Sequence, residues 1–139
     1  MNDRKRVLIL CTGNSARSQI AEGLLRSMGE DRFEVESAGT VASFVRPQAI
    51  AVMAEIGFDI TDHRSKRLDE FLGTAFDHII TVCDNANQTC PAFPGKAHRT
   101  HWSIEDPAEA IGTEEEKLAA FRTIRDQLII EIKGFISSN

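Results

Sequence analysis

The chain has 139 residues, 42% hydrophobic and 27% charged, enough for one domain (residues 1–139) with a buried core and ordinary for a globular protein. Its formal net charge of −5 gives no reason to expect nucleic acid or an anionic membrane as partner. No apolar run approaches the roughly 20 residues of a bilayer span, and the run in MNDRKRVLIL is too short for a signal peptide, so a cytoplasmic protein is expected.

In chain order, Arg6–Leu10 reads as a buried strand. Ser18–Met28 reads as a helix with Ile20, Leu24 and Leu25 on one side. Phe33–Ser37 alternates as a strand does. Pro47 opens a helix to about Ile56, which Gly57 ends. A short helix is expected over 66–72, a strand over Asp77–Val82, a short helix over Asn85–Cys90 stopped by Pro91, and a weak strand over Ala97–His101. Thr113 and Glu116 form a capping box, after which Leu118, Phe121, Ile124, Leu128 and Ile132 recur on one helical face.

This alternation predicts an α/β fold in three layers, a four-stranded parallel sheet with helices on both faces. Ligands of such sheets bind beyond the carboxyl ends of the strands, where the winding reverses. With strand order 2-1-3-4, Cys11 and Cys83 end neighbouring strands and face one crevice. The third cysteine is Cys90, and an odd count argues against a static disulfide framework.

Between Cys11 and Arg17 the chain reads CTGNSAR, directly after the apolar run VLIL. Thr12, Gly13, Asn14, Ser15 and Ala16 then form a loop whose N–H groups, at the positive end of a helix, can nest around a tetrahedral anion. Gly13 supplies conformational freedom and Asn14 tolerates a left-handed conformation. Arg17 offers a planar fork for two oxygens. The same positive field favours the thiolate of Cys11, and Ser18 is placed to donate to it. A plain helix cap by Asn14 or Ser15, with Arg17 on the surface, is the other reading of these residues.

VLILCTGNSARSQIAEG resembles the start of the low-molecular-weight protein tyrosine phosphatase fold, and most of all the thioredoxin-coupled arsenate reductases. SAGT (37–40), ITVCDNANQTC (80–90), HWSIEDPA (101–108) and GTEEEK (112–117) resemble further segments of those reductases. The resemblance implies that Asp106 of the Asp-Pro step is a general acid. It also implies a relay in which Cys11 attacks arsenic, Cys83 attacks the Cys11 sulfur, and Cys90 takes over the disulfide from Cys83 for thioredoxin to reduce. A phosphatase needs one cysteine, whereas reducing arsenate to arsenite needs the two electrons of a thiol pair. No bound cofactor is implied, and a monomer is expected.

If residues 83–90 formed a regular helix, the two cysteine Cα atoms would stand about 10.5 Å apart, too far for a disulfide, which needs about 4.4–6.8 Å. Oxidation is therefore expected to unwind or loop out this segment.

The runner-up is a phosphatase for phosphotyrosine or a small phosphate ester. Against it, no tyrosine occurs in the chain, Ala108, Glu109 and Ala110 follow the acid, and Gln19 stands where such phosphatases carry proline. Weak phosphatase side activity is compatible with the loop and the acid. A thiol-based sensor of arsenicals or oxidants has no use for Asp106. A zinc site from Cys83, Cys90, His98 and His101 has the wrong cysteine spacing, and its two histidines point to opposite faces of a strand. In some of these reductases a potassium ion lies beside the loop, on residues resembling Asn14, Glu22, Ser37 and an aspartate. Here Lys66 stands at the aspartate position, either as an ammonium replacing that cation, paired with Glu22 and bracing Asn14, or as an exposed lysine starting a helix. No metal is expected. Ala16 stands where some relatives carry a further cysteine.

Overall fold

The run VLIL places no polar side chain between Val7 and Leu10, and a strand of that content is stable only when both faces are covered. In the computed structural model, which describes residues 4–83 and 93–139, it becomes the interior strand β1 (Lys5–Cys11), buried from Val7 to Cys11. Along one side runs β2 (Phe33–Gly39), in parallel register from Lys5 opposite Phe33 to Cys11 opposite Gly39. Along the other runs β3 (His78–Thr81), with β4 (His98–His101) outside it. The order is β2-β1-β3-β4 and every pairing is parallel, as expected. The outer strand β4 is polar and mostly exposed, which discourages further strands from adding to it.

Three helices, α1 (Arg17–Met28), α2 (Pro47–Ala54) and α3 (Glu114–Ser138), pack on one another. The capping box at Thr113 and Glu116 forms as expected. Phe121, Ile124, Leu128, Ile132 and Phe135 are the buried face of α3. Arg125 and Arg122 both reach Glu55, just past α2, and Arg125 also donates to the Val52 carbonyl. These bonds tie α2 to α3. The opposite face of the sheet carries Arg6 over the ring of Phe76, which meets Phe71 and Phe93 edge-on.

Two expected helices end differently. The helix expected over 66–72 is a single 3-10 turn, Leu68–Phe71. Its first residues are drawn into the sheet instead, because the Gly39 N–H donates to the Lys66 carbonyl and Gly39 bridges to Arg67. The helix from Pro47 ends at Ala54, and Gly57 turns the chain with φ 83°. The helix expected over 85–90, with Cys90, lies outside the described residues. Among the described residues no helix is long and apolar enough to cross a membrane.

Leu128 is fully buried on α3. Leu128→Ala is expected to cost about 2–5 kcal/mol in urea unfolding, and Thr113→Ala about 1 kcal/mol through the lost cap. Similar losses for the two would mean that α3 is held by its end rather than by its packed face.

Candidate active site

Six successive carbonyls shape the loop after β1. That of Cys11 accepts from Thr40 N–H (3.2 Å), Thr12 from Val41 (3.0 Å) and Ser15 from Arg46 (2.9 Å). Gly13 accepts from the hydroxyls of Ser43 (2.9 Å) and Ser65 (3.1 Å), Asn14 from the Gln19 amide (3.2 Å), and Ala16 from Ile20 N–H (2.9 Å). Every donor comes from outside the loop. In a planar trans peptide the N–H lies opposite the carbonyl, so the N–H groups of residues 12–17 turn towards the hollow that the loop encloses. The N-cap residue of α1 is Ala16 and no side chain caps it, so the plain helix cap does not form. The loop therefore presents donors and the positive helix end to an anion.

Gly13 does not take the left-handed conformation that its flexibility allows; Asn14 does, at φ 49°. The glycine that is sterically required is Gly39, where an added Cβ would lie 2.5 Å from the carbonyl oxygens of Thr12 and Val41.

Cys11 is buried, and its Sγ lies 2.9 Å from Ser18 Oγ and 3.2 Å from the Asn14 N–H. The Asn14 amide is oriented by a backbone donor, since Lys66 N–H gives to its Oδ1 (2.8 Å). Its Nδ2 therefore donates to Ser18 Oγ (2.7 Å) and Ser37 Oγ (2.9 Å). Ser18 accepts from Asn14 and keeps its own hydrogen for the sulfur. Both contacts can place a hydrogen on the sulfur.

The chain after β4 follows β3 beyond its end, with Trp102 N–H on the Thr81 carbonyl (2.8 Å) and Ile104 N–H on that of Val82 (3.3 Å). This brings the Asp106 loop beside Cys83. Arg17 donates to the Ile104 carbonyl (3.0 Å) and stands 3.6 Å from Asp106 Oδ2. Asp106 Oδ1 accepts from Ala108 N–H, which fixes the carboxyl at the head of a 3-10 turn that starts at Pro107. A cavity of about 520 Å3 is lined by Thr12, Arg17, Cys83, Ile104, Asp106 and their neighbours. Thr12 Oγ1 lies 3.2 Å from Cys83 Sγ, a contact that no local pattern predicts. Neither Cys11 nor Cys83 is in a disulfide.

Behind the loop lies a buried polar cluster. Glu22 accepts from Ser37 Oγ and pairs with Arg26 (2.9 Å), with Lys66 Nζ at 3.8 Å and His63 Nε2 at 3.9 Å. Lys66 is buried, not an exposed helix start, and its ammonium also stands 3.8 Å from Glu36. The ammonium pairs with Glu22, but the bracing of Asn14 comes from the Lys66 backbone N–H. Gln19 and His63 were missed as members of this cluster. His98 packs against His78 on one face of the sheet while His101 bonds Thr81 on the other, which separates the two histidines of the zinc reading. Among the described residues no group of three or more His, Cys, Asp or Glu side chains is placed to hold a metal ion.

Comparison with known proteins agrees with this geometry. The family model described as low molecular weight phosphotyrosine protein phosphatase matches residues 6–138. An arsenate reductase of Halalkalibacterium halodurans is 44% identical over 96% of each chain. Among solved structures, one titled an arsenate reductase in oxidized state superposes with a TM-score of 0.82 at 31% identity, covering 96% of this chain and 98% of that one. Another, titled an arsenate reductase in the phosphate binding state, gives 0.79 at 31% identity with the same coverage.

Gly39→Ala is expected to push the loop off the sulfur. The check is the rate of Cys11 alkylation, which should change without loss of the cooperative melt. Burial holds His63 below the ordinary imidazole range, with Glu22 opposing, and burial does the same to His78. The unfolded chain thus takes up protons that the folded chain does not, so the stability from these neutral imidazoles is complete above about pH 6.5 and is lost below it. Melting temperature should fall from about pH 7 to about pH 5, and His63→Gln should flatten that fall. An unchanged slope would mean that His63 does not titrate differently on folding.

Proposed function

The chain belongs to the low molecular weight phosphotyrosine protein phosphatase family, and on that footing we propose that it reduces arsenate to arsenite through Cys11, Cys83 and Cys90, with thioredoxin as the external reductant. The observation that carries this reading is the meeting of Cys83 with Thr12, the residue next to the nucleophile, at the ends of neighbouring parallel strands. A hydrolase gains nothing from a second thiol there. The arsenate reductases among its relatives support the same choice.

The tetrahedral anion binds in the loop of residues 12–17, where Arg17 turns to it from Asp106. The Cys11 thiolate attacks As(V), and Asp106, which takes a proton from solvent once Arg17 has turned from it, passes that proton to the oxygen that leaves as water. Cys83, as thiolate, then attacks the Cys11 sulfur. The S–As bond breaks with its electron pair going to arsenic, which departs as arsenite, and a Cys11–Cys83 disulfide remains. Cys90 attacks Cys83 and frees Cys11. The resulting Cys83–Cys90 disulfide is reduced by the thioredoxin dithiol. One arsenate and two thiols thus give one arsenite, one disulfide and water. Such a relay fits a monomer in a reducing cytoplasm. No bound metal enters it.

Phosphate esters fit the same loop and acid. Phosphorus does not accept the electron pair as arsenic does, so water must resolve the phospho-cysteine, and a weak phosphatase activity is the side reaction expected.

In an arsenate assay coupled to thioredoxin, thioredoxin reductase and NADPH, the wild type should turn over. Cys90→Ser should complete about one round and stop with a Cys11–Cys83 disulfide found by peptide mass mapping. Normal turnover by Cys90→Ser would overturn the relay. Asp106→Asn should lower arsenate turnover by about 10²–10⁴.

A further inference from the structure

Gln19 is the third residue of α1 and has no exposed surface. Its Nε2 lies 3.0 Å from Asn14 Oδ1, 3.0 Å from the Arg64 carbonyl and 3.2 Å from the Asn14 carbonyl. All three are acceptors, and the backbone carbonyls can be nothing else, so the amide nitrogen must face them. The other end, Oε1, is 3.0 Å from His63 Nδ1, which must therefore carry a hydrogen. The carboxamide admits one orientation.

Its partners explain what that orientation does. Asn14 is held at a positive φ that non-glycine residues seldom adopt, and Gln19 bonds both its main-chain and its side-chain oxygen. The main-chain oxygen lies in the peptide to Ser15, so its bond to Gln19 restrains the Asn14 conformation, while the Asn14 N–H on Cys11 Sγ lies in the peptide whose Gly13 carbonyl Ser43 and Ser65 hold. With Oδ1 drawn to Gln19 and Lys66, the amide keeps Nδ2 on Ser18, whose hydrogen is then left for the same sulfur. Together with the Lys66 N–H, this buried amide thus fixes the direction of the Ser18 hydrogen bond that the nucleophile receives.

We propose that Gln19 is a positioning residue for the nucleophile, a clamp on the conformation and side-chain amide of Asn14 that keeps the Ser18 donor aimed at Cys11. Gln19 touches neither the sulfur nor the anion and acts only through Asn14. The proposal rests on Cys11 being the nucleophile, as in the reaction above.

The test is the rate at which iodoacetamide alkylates Cys11 at about pH 7, located by peptide mass mapping. Gln19→Glu keeps the shape but sets a carboxylate oxygen against three oxygens, and Gln19→Leu removes the donors. Each should slow Cys11 alkylation about tenfold. A merely structural role predicts the opposite direction, because loosening the fold exposes a buried thiol and speeds its alkylation. His63→Ala leaves the three acceptors that share the two Nε2 hydrogens in place and should alkylate within about twofold of the wild type. Wild-type or faster rates in both Gln19 variants would overturn the proposal, as would an equal slowing by His63→Ala. Failure of both Gln19 variants to melt cooperatively would also overturn it, since the residue would then hold the fold rather than the nucleophile. These rates need neither arsenate nor thioredoxin. The clamp can therefore fail while the reduction stands, and the reduction can fail while the clamp stands.

Discussion

The outward pull on six successive carbonyls, from Cys11 to Ala16, is the constraint on which the site depends. A loop of free peptides would turn carbonyls and N–H groups at random to a bound anion, and an anion is repelled by the former. Here segments 40–46 and residue 65, with Gln19 and Ile20 of α1, take the carbonyls. The cost of aiming the N–H groups is met by folding rather than by binding, which is what preorganisation means in electrostatic catalysis. Gly39 lets segment 40–46 come close enough to do this.

A second consequence is the charge stored behind the loop. Glu22 is almost fully buried and would be costly alone, but Arg26, Lys66 and His63 surround it and Ser37 donates to it. The chain of contacts runs from Glu22 through Ser37, Asn14 and Ser18 to Cys11 with each donor defined.

Much of this was legible in the sequence. The parallel sheet followed from the alternation of elements, the order 2-1-3-4 was assumed with it, and the loop followed from CTGNSAR after an apolar strand. The tie between Ser18 and Cys11, the left-handed Asn14 and the capping box at Thr113 were read from residue types at fixed spacing. What escaped the sequence depends on tertiary approach. Residues 66–72 carry a helical pattern, yet the bond from Gly39 to Lys66 claims their start. Gln19 looked like the absence of a proline, and only its partners at 14, 63 and 64 give it a role. Thr12 and Cys83 are 71 positions apart, and no local pattern links them.

The contact between Arg17 and Asp106 bears on affinity as well as on catalysis. In the resting site the guanidinium already has an anionic partner from its own chain. In the proposed reaction an arriving oxyanion does not create a charge pair there but exchanges one for another. Binding then reports the difference between two anions competing for one cation. Because the number of paired charges at Arg17 stays constant through the exchange, added salt weakens both states alike. Affinity should accordingly depend less on ionic strength than the charge of the oxyanion alone would imply.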